Sequence, residues 1–439
     1  MSSMPFISTR SIGWRLAIII ALSLLLTIPA MMIEGLINER SQSGNEAVVE
    51  VGSKWGGQQT ITGPVLTIPF TKVVMSEGKA QTVTQNLYIL PESLKVNTTL
   101  KPEKRYRGIF EVVLYQSEIK LDGAFLLPNL KEFGLSQDQM QWDQAFFALG
   151  ISDLKGIQDL IVVKTGDSLL TANPSVLTNE YLTSGVNVKY PIDPSKLNIP
   201  FSTKLNLNGN GRFFIVPAGK ETHATVSSNW GNPSFAGDFL PDTRTVTDSS
   251  FTATWKVLHL NRNFPQTWIN GDYKIEETRF GVNLMIPVDH YQKTSRTVKY
   301  AIMFIGLTFL AFFMVEIASK RRIHPVQYLL IGFALIIFYT LLLSISEHLS
   351  FNWAYWISAG AILTLIGLYS KAVLKEMRKT GLVTGLLLLL YLFLFVVLQL
   401  EDYALLIGSL GLFGVLAAVM YMSRNFDWFN PDSLRGETE

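Results

Sequence analysis

Long apolar segments occupy both ends of the chain, and a polar region with strand-like patterning lies between them. The clearest apolar segment, 326–345, contains no formal charge and follows the basic run Lys320, Arg321 and Arg322. About 20 apolar residues cross a hydrocarbon core of roughly 30 Å, so this segment is predicted to be a transmembrane helix. Further apolar segments lie at 14–33, 300–318, 353–370, 382–400 and 403–421. The chain is therefore predicted to be an integral membrane protein with six spans.

The first apolar segment is predicted to be an uncleaved anchor helix. A secretory signal has a shorter apolar stretch and a small-residue cleavage site, whereas this segment ends in Pro29-Ala30-Met31-Met32. Arg10 and Arg15 at its start favour a cytoplasmic N-terminus. Pro29 marks a tolerable kink, and apolar residues at helical spacing as far as Trp55 predict that the helix resumes beyond it.

Between Trp55 and Pro287 the pattern consists of short runs bounded by Gly, Pro, Asn or Asp, which indicates strands. Strands are predicted at 65–74, 82–90, 94–100, 109–121, 204–207, 212–216, 222–230 and 251–260. Pro69 predicts an edge position or a bulge in the first of them. Asn208-Gly209-Asn210-Gly211 predicts a hairpin that joins 204–207 to 212–216. Residues 141–150 fit either a helix or a short buried strand, and the region fits one large lobe or two smaller lobes that divide near Asn173-Pro174.

The predicted fold class is integral membrane α + β. A cytoplasmic tail (1–13) and an anchor (14–33) precede a β-rich domain with helical segments at its two ends (34–298). A five-helix bundle (299–423) and a cytoplasmic tail (424–439) follow. Asp289, just after Pro287, is the predicted N-cap of the outgoing helix. The helical segments are expected to be stiff and to couple the β-rich domain to the bundle.

Loop charges predict the orientation. One loop carries Lys320, Arg321 and Arg322, another carries Lys371, Lys375, Arg378 and Lys379, and the tail carries Arg424 and Arg435. The alternate loops carry Glu347, His348, Glu401 and Asp402 and have neither lysine nor arginine. Because loops rich in lysine and arginine stay in the cytoplasm, both termini are predicted to be inside and residues 34–298 outside.

Composition removes several function classes. A net charge of +2 without a dense basic arm gives no case for nucleic-acid binding. The chain has no cysteine, which excludes disulfides, thiolate zinc sites and cysteine nucleophiles. Five scattered histidines, His223, His259, His290, His324 and His348, form no H-x-x-x-H pair. No metal or other cofactor is therefore predicted.

Two short motifs resemble parts of a serine acyl enzyme. Ser152 and Lys155 fit S-x-x-K, and Lys164-Thr165-Gly166 fits K-T-G. Such an enzyme places these motifs on separate elements with an S-D-N element between them, and the chain has no S-D-N here. The favoured interpretation is that Ser152 or Asp153 caps a turn or a helix start, while Gly156 permits the bend. No catalytic residue is predicted, and the protein is expected not to be an enzyme.

Two charged sites near the membrane segments are further functional candidates. Glu316 lies one turn before Lys320, which favours an interfacial ion pair over a proton relay. Glu347 and His348 form a candidate pH-sensitive pair, although a solvated loop is the favoured interpretation. His324 and Pro325 mark the start of a helix, where proline loses no hydrogen bond.

Glycines recur at one-turn spacing in the last two spans. Gly381 and Gly385 form G-x-x-x-G, and Gly408, Gly411 and Gly414 follow in the next span. Such residues let helices approach closely in lipid. Packing within the bundle is the favoured interpretation, with a homo-oligomer as the alternative.

The chain resembles the CreD family of inner membrane proteins in blocks spread over nearly its whole length. These blocks are Trp55–Leu66, Arg107–Val112, Gly150–Ile157, Leu260–Gln266, Lys299–Ala301, Ile323–Leu329 and Ser344–His348. The resemblance implies a Gram-negative inner membrane location and a link to cell-envelope integrity. It also implies expression under an envelope- or nutrient-responsive two-component system. No reaction, ligand or catalytic residue comes with it.

The leading hypothesis is a non-enzymatic envelope protein in the lipid bilayer. Its exported domain would contact a periplasmic or peptidoglycan-associated partner, and its membrane block would tether or relay that contact. The alternative, a transporter or flippase subunit for an envelope component, predicts interrupted helices or polar midplane residues, of which the last five spans show few. An exported hydrolase needs an acid/base pair that is not found. The candidate functional residues are Trp55, Gly56, Gly57, Gly63, Pro64, Ser152, Asp153, Lys155, Gly156, Asn263, Pro265, Glu316, His324, Pro325, Glu347 and His348.

Overall fold

Two compact units make up the chain in the computed structural model, which describes residues 12–76, 79–174, 182–271, 273–284, 290–319, 323–400 and 403–424. The helical unit consists of Met1–Ser43 and Val288–Glu439, and the β unit consists of Gly44–Pro287. Several residues of the loop-charge and capping predictions lie outside the described residues, namely Arg10, Pro287, Asp289, Lys320, Arg321, Arg322, Glu401, Asp402 and Arg435.

Two helices begin the chain, α1 (Ile12–Leu25) and α2 (Thr27–Trp55). The break between them lies at Leu26, so Pro29 falls in the first turn of α2. A proline in the first turn removes no intrahelical hydrogen bond, which explains why α2 continues past it. Helix α2 runs without interruption across the boundary between the units at Ser43 and Gly44.

Strands form the next part of the chain, as the alternating pattern predicts. They are β1 (Gln59–Ser76), β2 (Lys79–Ile89), β3 (Ser93–Arg107), β4 (Phe110–Leu126), β5 (Phe146–Ile151), β6 (Val162–Thr165), β7 (Ser168–Thr171), β8 (Asn173–Pro174), β9 (Gly185–Lys189), β10 (Asn198–Asn210), β11 (Arg212–Ile215), β12 (Glu221–Ser228), β13 (Pro233–Gly237), β14 (Thr243–Val246), β15 (Phe251–Leu258), β16 (Thr267–Ile269) and β17 (Phe280–Leu284). The ambiguous segment 141–150 contributes to β5, whose six residues are all buried.

These strands form two sheets. The nine-stranded sheet has the order β13-β17-β11-β1-β5-β9-β8, with β2 added to β1 and β16 added to β2. The eight-stranded sheet has the order β14-β15-β12-β3-β4-β10-β6-β7. One cluster of buried side chains, including Phe70, Tyr115, Phe213 and Trp255, draws on both sheets. The β unit is therefore one lobe, and Asn173–Pro174 is a short edge strand of the nine-stranded sheet instead of a division.

One local prediction in this region is confirmed and another is wrong. Strand β1 pairs with β11 and β5 only as far as Thr67, and beyond that point its ladder continues with β2 alone, so Pro69 lies at an edge as predicted. The register irregularity of β1 lies earlier, between Thr62 and Val65. The hairpin predicted at Asn208-Gly209-Asn210-Gly211 does not form, because β10 pairs with β4 as far as Asn210 and β11 belongs to the other sheet. Gly211, with φ +58°, turns the chain from one sheet to the other, and the Tyr115 hydroxyl donates to the Arg212 carbonyl at 2.6 Å.

The C-terminal helices are α3 (His290–Lys299), α4 (Ala301–Ser319), α5 (Pro325–Ser346), α6 (Phe351–Leu374), α7 (Met377–Gln399) and α8 (Ala404–Ser423). Among the described residues, four helical segments are long and apolar enough to cross a membrane: Gly13–Trp55, Pro325–Ser346, Phe351–Leu374 and Met377–Gln399. The pair α3 and α4, bent by 46°, would be a fifth span, and α8 contains the shorter apolar stretch Leu406–Ala417. Aromatic side chains such as Phe304, Phe338 and Tyr391 fill the interior of this unit.

Candidate functional site

Two of the distinctive sequence blocks meet in the β unit, where the end of α2 enters β1. The Gly57 N–H donates to Asp153 Oδ2 at 2.7 Å, and the Thr60 N–H donates to Ser152 Oγ at 2.8 Å. The buried Gln59 side chain donates from Nε2 to the carbonyls of Asp153 and Asn208, both at 2.9 Å. We call this set of contacts around Gly56, Gly57, Gln59, Asp153 and Gly156 the glycine junction.

Glycines permit the close approach of backbone segments at this junction. A Cβ at Gly56, whose φ is +153°, would lie 2.6 Å from the Asn208 carbonyl oxygen. A Cβ at Gly156 would overlap the same oxygen and Gln59 Nε2. Real Cβ atoms do not come this close to backbone, so any larger residue would force these segments apart.

The Ser152 and Lys155 side chains are engaged with backbone groups. The Ser152 hydroxyl donates to the Gln58 carbonyl at 2.7 Å, and Lys155 Nζ donates to the Ser53 carbonyl at 3.3 Å. Asp153 Oδ1 accepts from the Lys155 N–H at 3.0 Å and caps a single 3₁₀ turn, which confirms the predicted cap. Lys164 lies on β6 in the eight-stranded sheet, whereas Ser152 follows β5 in the other sheet.

Gly63 and Pro64 sit at the irregularity in the pairing of β1 with β5. The register shifts between Thr62 and Val65, and the Gly63-Pro64 peptide bond is cis. Gly63 has φ +93°, a conformation that other residues rarely adopt. These two residues therefore shape the course of β1 beside the glycine junction.

The last turns of α2 are held by the tip of the β3–β4 hairpin. Arg107 donates from Nε and Nη2 to the Glu50 carboxylate, both at 3.2 Å. Hydrogen bonds from Lys54 and Arg107 lower the pKa of the Glu50 carboxyl below its usual value. Trp55 donates from Nε1 to the Tyr115 carbonyl at 3.4 Å, and the Arg105 guanidinium lies 4.9 Å from the centre of the Trp55 ring.

Within the Leu260–Gln266 block, Arg262 is the residue whose side chain binds neighbouring loops, and the sequence analysis did not identify it. Its side chain is only 7% exposed, and its guanidinium donates to the carbonyls of Phe264, Ala218 and Gly219 and to Gln266 Oε1. Burial lowers the pKa of Arg262 to about 10. Asn263 and Pro265, which were the predicted candidates, are exposed.

Glu316 forms an ion pair in the interior of the helical unit. Arg15 Nη1 lies 2.9 Å from Glu316 Oε1, and the Tyr328 hydroxyl donates to Glu316 Oε2 at 2.9 Å. The Glu316 side chain is 5% exposed. The predicted partner Lys320 lies outside the described residues, and the observed partner belongs to α1.

A second cluster with the same three residue types surrounds Glu347. Arg40 donates from Nε and Nη2 to the two carboxylate oxygens at 2.7 and 2.9 Å, and the Tyr291 hydroxyl donates at 3.1 Å. Burial of the Glu347 carboxyl raises its pKa, but the hydrogen bonds from Arg40 and Tyr291 lower it by more, so the pKa lies below its usual value. The solvated-loop interpretation is therefore wrong for Glu347, although His348 is exposed.

His324 and Pro325 begin α5 as predicted. His324 Nδ1 accepts from the Val326 N–H at 3.3 Å, and the His324 N–H donates to Gln327 Oε1 at 2.9 Å. Pro325 occupies the first helical position. These residues form a reciprocal cap at one end of the helix, while Glu347 follows its other end.

The predicted packing of glycines holds at one position and fails at others. A Cβ at Gly411 would overlap the Phe393 ring, so this glycine packs against α7. A Cβ at Gly381 or Gly385 would meet no atom of the described residues within 4 Å, so neither packs closely against another helix in that part of the chain. Within the part of the chain that the structure describes, no group of three His, Asp or Glu side chains could hold a metal ion.

Comparison with known proteins gives one clear family. The family model described as Inner membrane protein CreD matches residues 11–429. The curated Inner membrane protein CreD of Escherichia coli (strain K12) is 35% identical over 424 residues, which cover 95% of this chain and 93% of that protein.

Solved structures give only remote likenesses. An M1 zinc metallopeptidase from Deinococcus radiodurans is 9% identical with a TM-score of 0.18, and the alignment covers 39% of this chain and 38% of that one. A mutant two-domain M1 zinc metallopeptidase bound to L-arginine is 9% identical with a TM-score of 0.20, with 50% and 54% covered. Neither likeness is close enough to bear on the fold or activity of this chain.

Proposed function

Since this chain belongs to the CreD family of inner membrane proteins, we propose that it supports cell-envelope integrity as a non-enzymatic tether or relay. In this proposal the helical unit lies in the lipid bilayer with both termini in the cytoplasm. The β unit lies in the periplasm and contacts a periplasmic protein or a peptidoglycan-associated partner. Synthesis belongs to an envelope- or nutrient-responsive two-component regulon of a Gram-negative cell. The loop charges and the apolar helices support the membrane arrangement.

The continuity of α2 is the observation that carries this proposal. The helix runs from Thr27 to Trp55, and residues on both sides of Ser43 and Gly44 belong to it. Within the helical unit, the ion pair of Arg40 with Glu347 holds the helix. Within the β unit, the ion pair of Arg107 with Glu50 holds it. A helix that is held in each unit transmits a displacement better than a flexible linker would, which supports a relay.

The roles of the polar candidate residues support a function without catalysis. Ser152, Asp153 and Lys155 form hydrogen bonds with nearby backbone groups. Glu316 and Glu347 each bind an arginine and a tyrosine. All five side chains therefore have a structural partner.

The test interrupts α2 without changing either unit. A flexible Gly-Ser linker is inserted between Ser43 and Gly44 in the chromosomal gene, and leakage of a periplasmic marker enzyme is measured beside wild type and a gene deletion. We expect the insertion to leak like the deletion at normal protein levels. The same linker after Gly166, in the exposed turn between β6 and β7, is the matched control and should behave like wild type. Full function of the α2 insertion would rule out the relay, as would full function of a linker after Thr294 in α3.

A transporter or flippase subunit is the second candidate function. The hydroxyls of Tyr339 and Tyr391 are buried in α5 and α7, and neither has a hydrogen-bond partner among the described residues. An unpaired polar group inside a membrane bundle is costly and can serve a polar substrate. Purified protein in liposomes should move an envelope lipid or precursor if this candidate is right, and replacing both tyrosines by phenylalanine should stop the flux.

A further inference from the structure

One face of the eight-stranded sheet is exposed and polar. Along β3, Leu94, Val96 and Leu100 are buried, whereas Lys95 and Thr99 between them are exposed. The neighbouring strands alternate in the same way. We call the exposed side of β15, β12, β3, β4, β10 and β6 the polar face.

Strand register aligns charged residues in a row across this face. Residues directly opposite one another on successive strands are Lys256, His223, Lys95, Asp122, Ser202 and Lys164. Neighbouring strands lie about 4.8 Å apart, so the row crosses six strands in roughly 24 Å. Lys120 and Lys204 oppose each other in the adjacent row. Lysines therefore occupy the first, third and sixth positions of the row, and Asp122 occupies the fourth.

Lysines outnumber acidic residues on the polar face, although the β unit as a whole has nearly equal numbers of basic and acidic residues. Its lysines are Lys95, Lys101, Lys120, Lys164, Lys204 and Lys256, and its acidic residues are Glu103, Glu118, Asp122 and Glu221, of which Glu103 pairs with Arg105 on the same strand. Glu118 pairs with Lys120 and Lys204, and Glu221 pairs with Lys256 and His223. Among the described residues, neither Lys95 nor Lys164 has a carboxylate within ion-pair distance. These two ammonium groups are thus available to an anion.

A groove lies in the middle of the row. Its volume is about 420 Å³, and the residues that line it include Ser93, Lys95, Asp122, Glu221, His223 and Thr225. The carboxylates of Asp122 and Glu221 can accept hydrogen bonds from ligand hydroxyls, and the ammonium group of Lys95 can bind negative charge, so the groove suits a ligand that carries both. The groove and the two lysines without carboxylate partners therefore point to the same kind of ligand.

We infer that the polar face binds an anionic glycan chain, with sugar hydroxyls in the groove and carboxylates or phosphates at Lys95 and Lys164. A protein partner would require an apolar interface core, whereas the large exposed apolar side chains of this face, Leu126, Val162 and Leu258, lie at its margins. A bilayer surface would also require apolar anchors. This inference rests on the proposed function, since it gives the periplasmic partner a chemical class.

The test is co-sedimentation of the detergent-solubilised full-length chain with purified peptidoglycan sacculi. Wild type should sediment, and added salt should weaken the binding because salt screens exposed charges. The double variant Lys95→Glu, Lys164→Glu should bind at least about fivefold more weakly, since two attractive contacts become repulsive. The matched control, Lys131→Glu with Lys196→Glu, makes the same change in charge at exposed sites outside the face and should bind like wild type.

Three results would overturn the inference: no sedimentation of wild type, equal sedimentation of the face variant, or equal loss in the control. Equal or tighter binding to vesicles of anionic phospholipid, lost in the same face variant, would assign the face to lipid instead. Lys95→Gln with Lys164→Gln repeats the test if the glutamate variant fails to fold. If the sacculus test fails but the α2 linker variant still leaks, glycan binding by the polar face is rejected and the proposed relay function is retained.

Discussion

Arg40 and Glu347 form a two-point ion pair in the helical unit, with Nε 2.7 Å from Oε1 and Nη2 2.9 Å from Oε2. The pair joins α2 to the end of α5, and a tyrosine hydroxyl completes it. Arg15, Glu316 and Tyr328 repeat the same composition elsewhere in the unit. Tyr328 in α5 and Glu347 just after its end lie 19 residues apart, which corresponds to roughly 28 Å at the helical rise per residue. The two clusters therefore lie about one hydrocarbon thickness apart. The Glu316 cluster attaches α1 to α4 and α5, and the Glu347 cluster attaches α2 to the end of α5.

Replacing Arg40 with alanine should destabilise the helical unit. The variant leaves the Glu347 carboxylate, which is only 10% exposed, without its two charged hydrogen bonds. Charged hydrogen bonds contribute about 1.5–3 kcal/mol, and the partial exposure of Arg40 places the expected loss at about 1.5 kcal/mol. Thermal unfolding in detergent measures the change.

Lys54→Ala is the matched control for that variant, because it removes a helical ion pair with Glu50 in which both side chains are well exposed. It should change stability by less than about 0.5 kcal/mol. Equal effects of the two substitutions would show that the Arg40 pair adds nothing beyond an ordinary surface contact.

The Glu347 cluster should also make stability depend on pH in acid. Its folded-state pKa lies below the usual value for glutamate, so the folded state favours the ionised carboxyl. The contribution is fully present above the unfolded pKa of about 4.3 and is lost as pH falls through the lower folded value. The stability difference between wild type and Glu347→Gln should be constant from about pH 7 to 5 and shrink below about pH 4. A difference that already disappears near pH 6 would contradict the lowered pKa.

Gly156→Ala should disrupt the glycine junction. The added methyl group overlaps the Asn208 carbonyl oxygen and Gln59 Nε2, so β10 or the turn after β5 must move. Overpacking of this kind costs about 1–3 kcal/mol and shows as a lower unfolding temperature of the β unit. Gly166→Ala is the control, because a methyl group at this position would have open space around it. Only the φ of +56° opposes alanine there, and this conformation costs about 1–2 kcal/mol of stability. A Gly156 variant as stable as wild type would show that the junction is loosely packed.

The amino-acid pattern predicted the elements of this fold better than their partners. Hydropathy indicated the apolar helices, and alternation indicated most of the strands, because both signals are local. The partner of Glu316 could not be found this way, since Arg15 is 301 residues distant and the sequence offered Lys320 one turn away. The hairpin prediction failed for a related reason: pairing of β10 with β4 extends through the turn-like Asn208-Gly209-Asn210.

The candidate site shows the same limit. Gly56, Gly57, Asp153 and Gly156 came from sequence blocks that the structure brings into contact, so the blocks were informative. Arg262 was missed because an arginine in a polar loop is usually exposed. Its only sequence signal was its place within the Leu260–Gln266 block.

Arg262→Lys should destabilise the β unit, because lysine cannot replace the hydrogen bonds by which Arg262 joins neighbouring loops. The planar guanidinium reaches four oxygen atoms, which belong to three backbone carbonyls and one side chain, whereas an ammonium group is a single point with three donors. We expect a loss of about 2–4 kcal/mol, since buried acceptors are left unpaired. Arg244→Lys, at an exposed arginine 5.9 Å from the Phe235 ring, should be nearly neutral. Unfolding followed by tryptophan fluorescence compares the stability of the two variants. Equal stability of both would show that the hydrogen bonds of the Arg262 guanidinium do not stabilise the β unit.

Single cysteines can test the predicted orientation directly, because the natural chain contains none. His348 and Lys375 are exposed at opposite ends of the region that includes α6, whose 24 residues span roughly 36 Å. Positive loops face the cytoplasm, so His348→Cys should react with a membrane-impermeant maleimide in spheroplasts, whereas Lys375→Cys should react only after permeabilisation. Ser227→Cys on β12 should label like His348→Cys, because the β unit is expected on the same side. Labelling of Lys375→Cys in sealed spheroplasts, with protection of the other two, would invert the orientation and remove the β unit from any periplasmic partner.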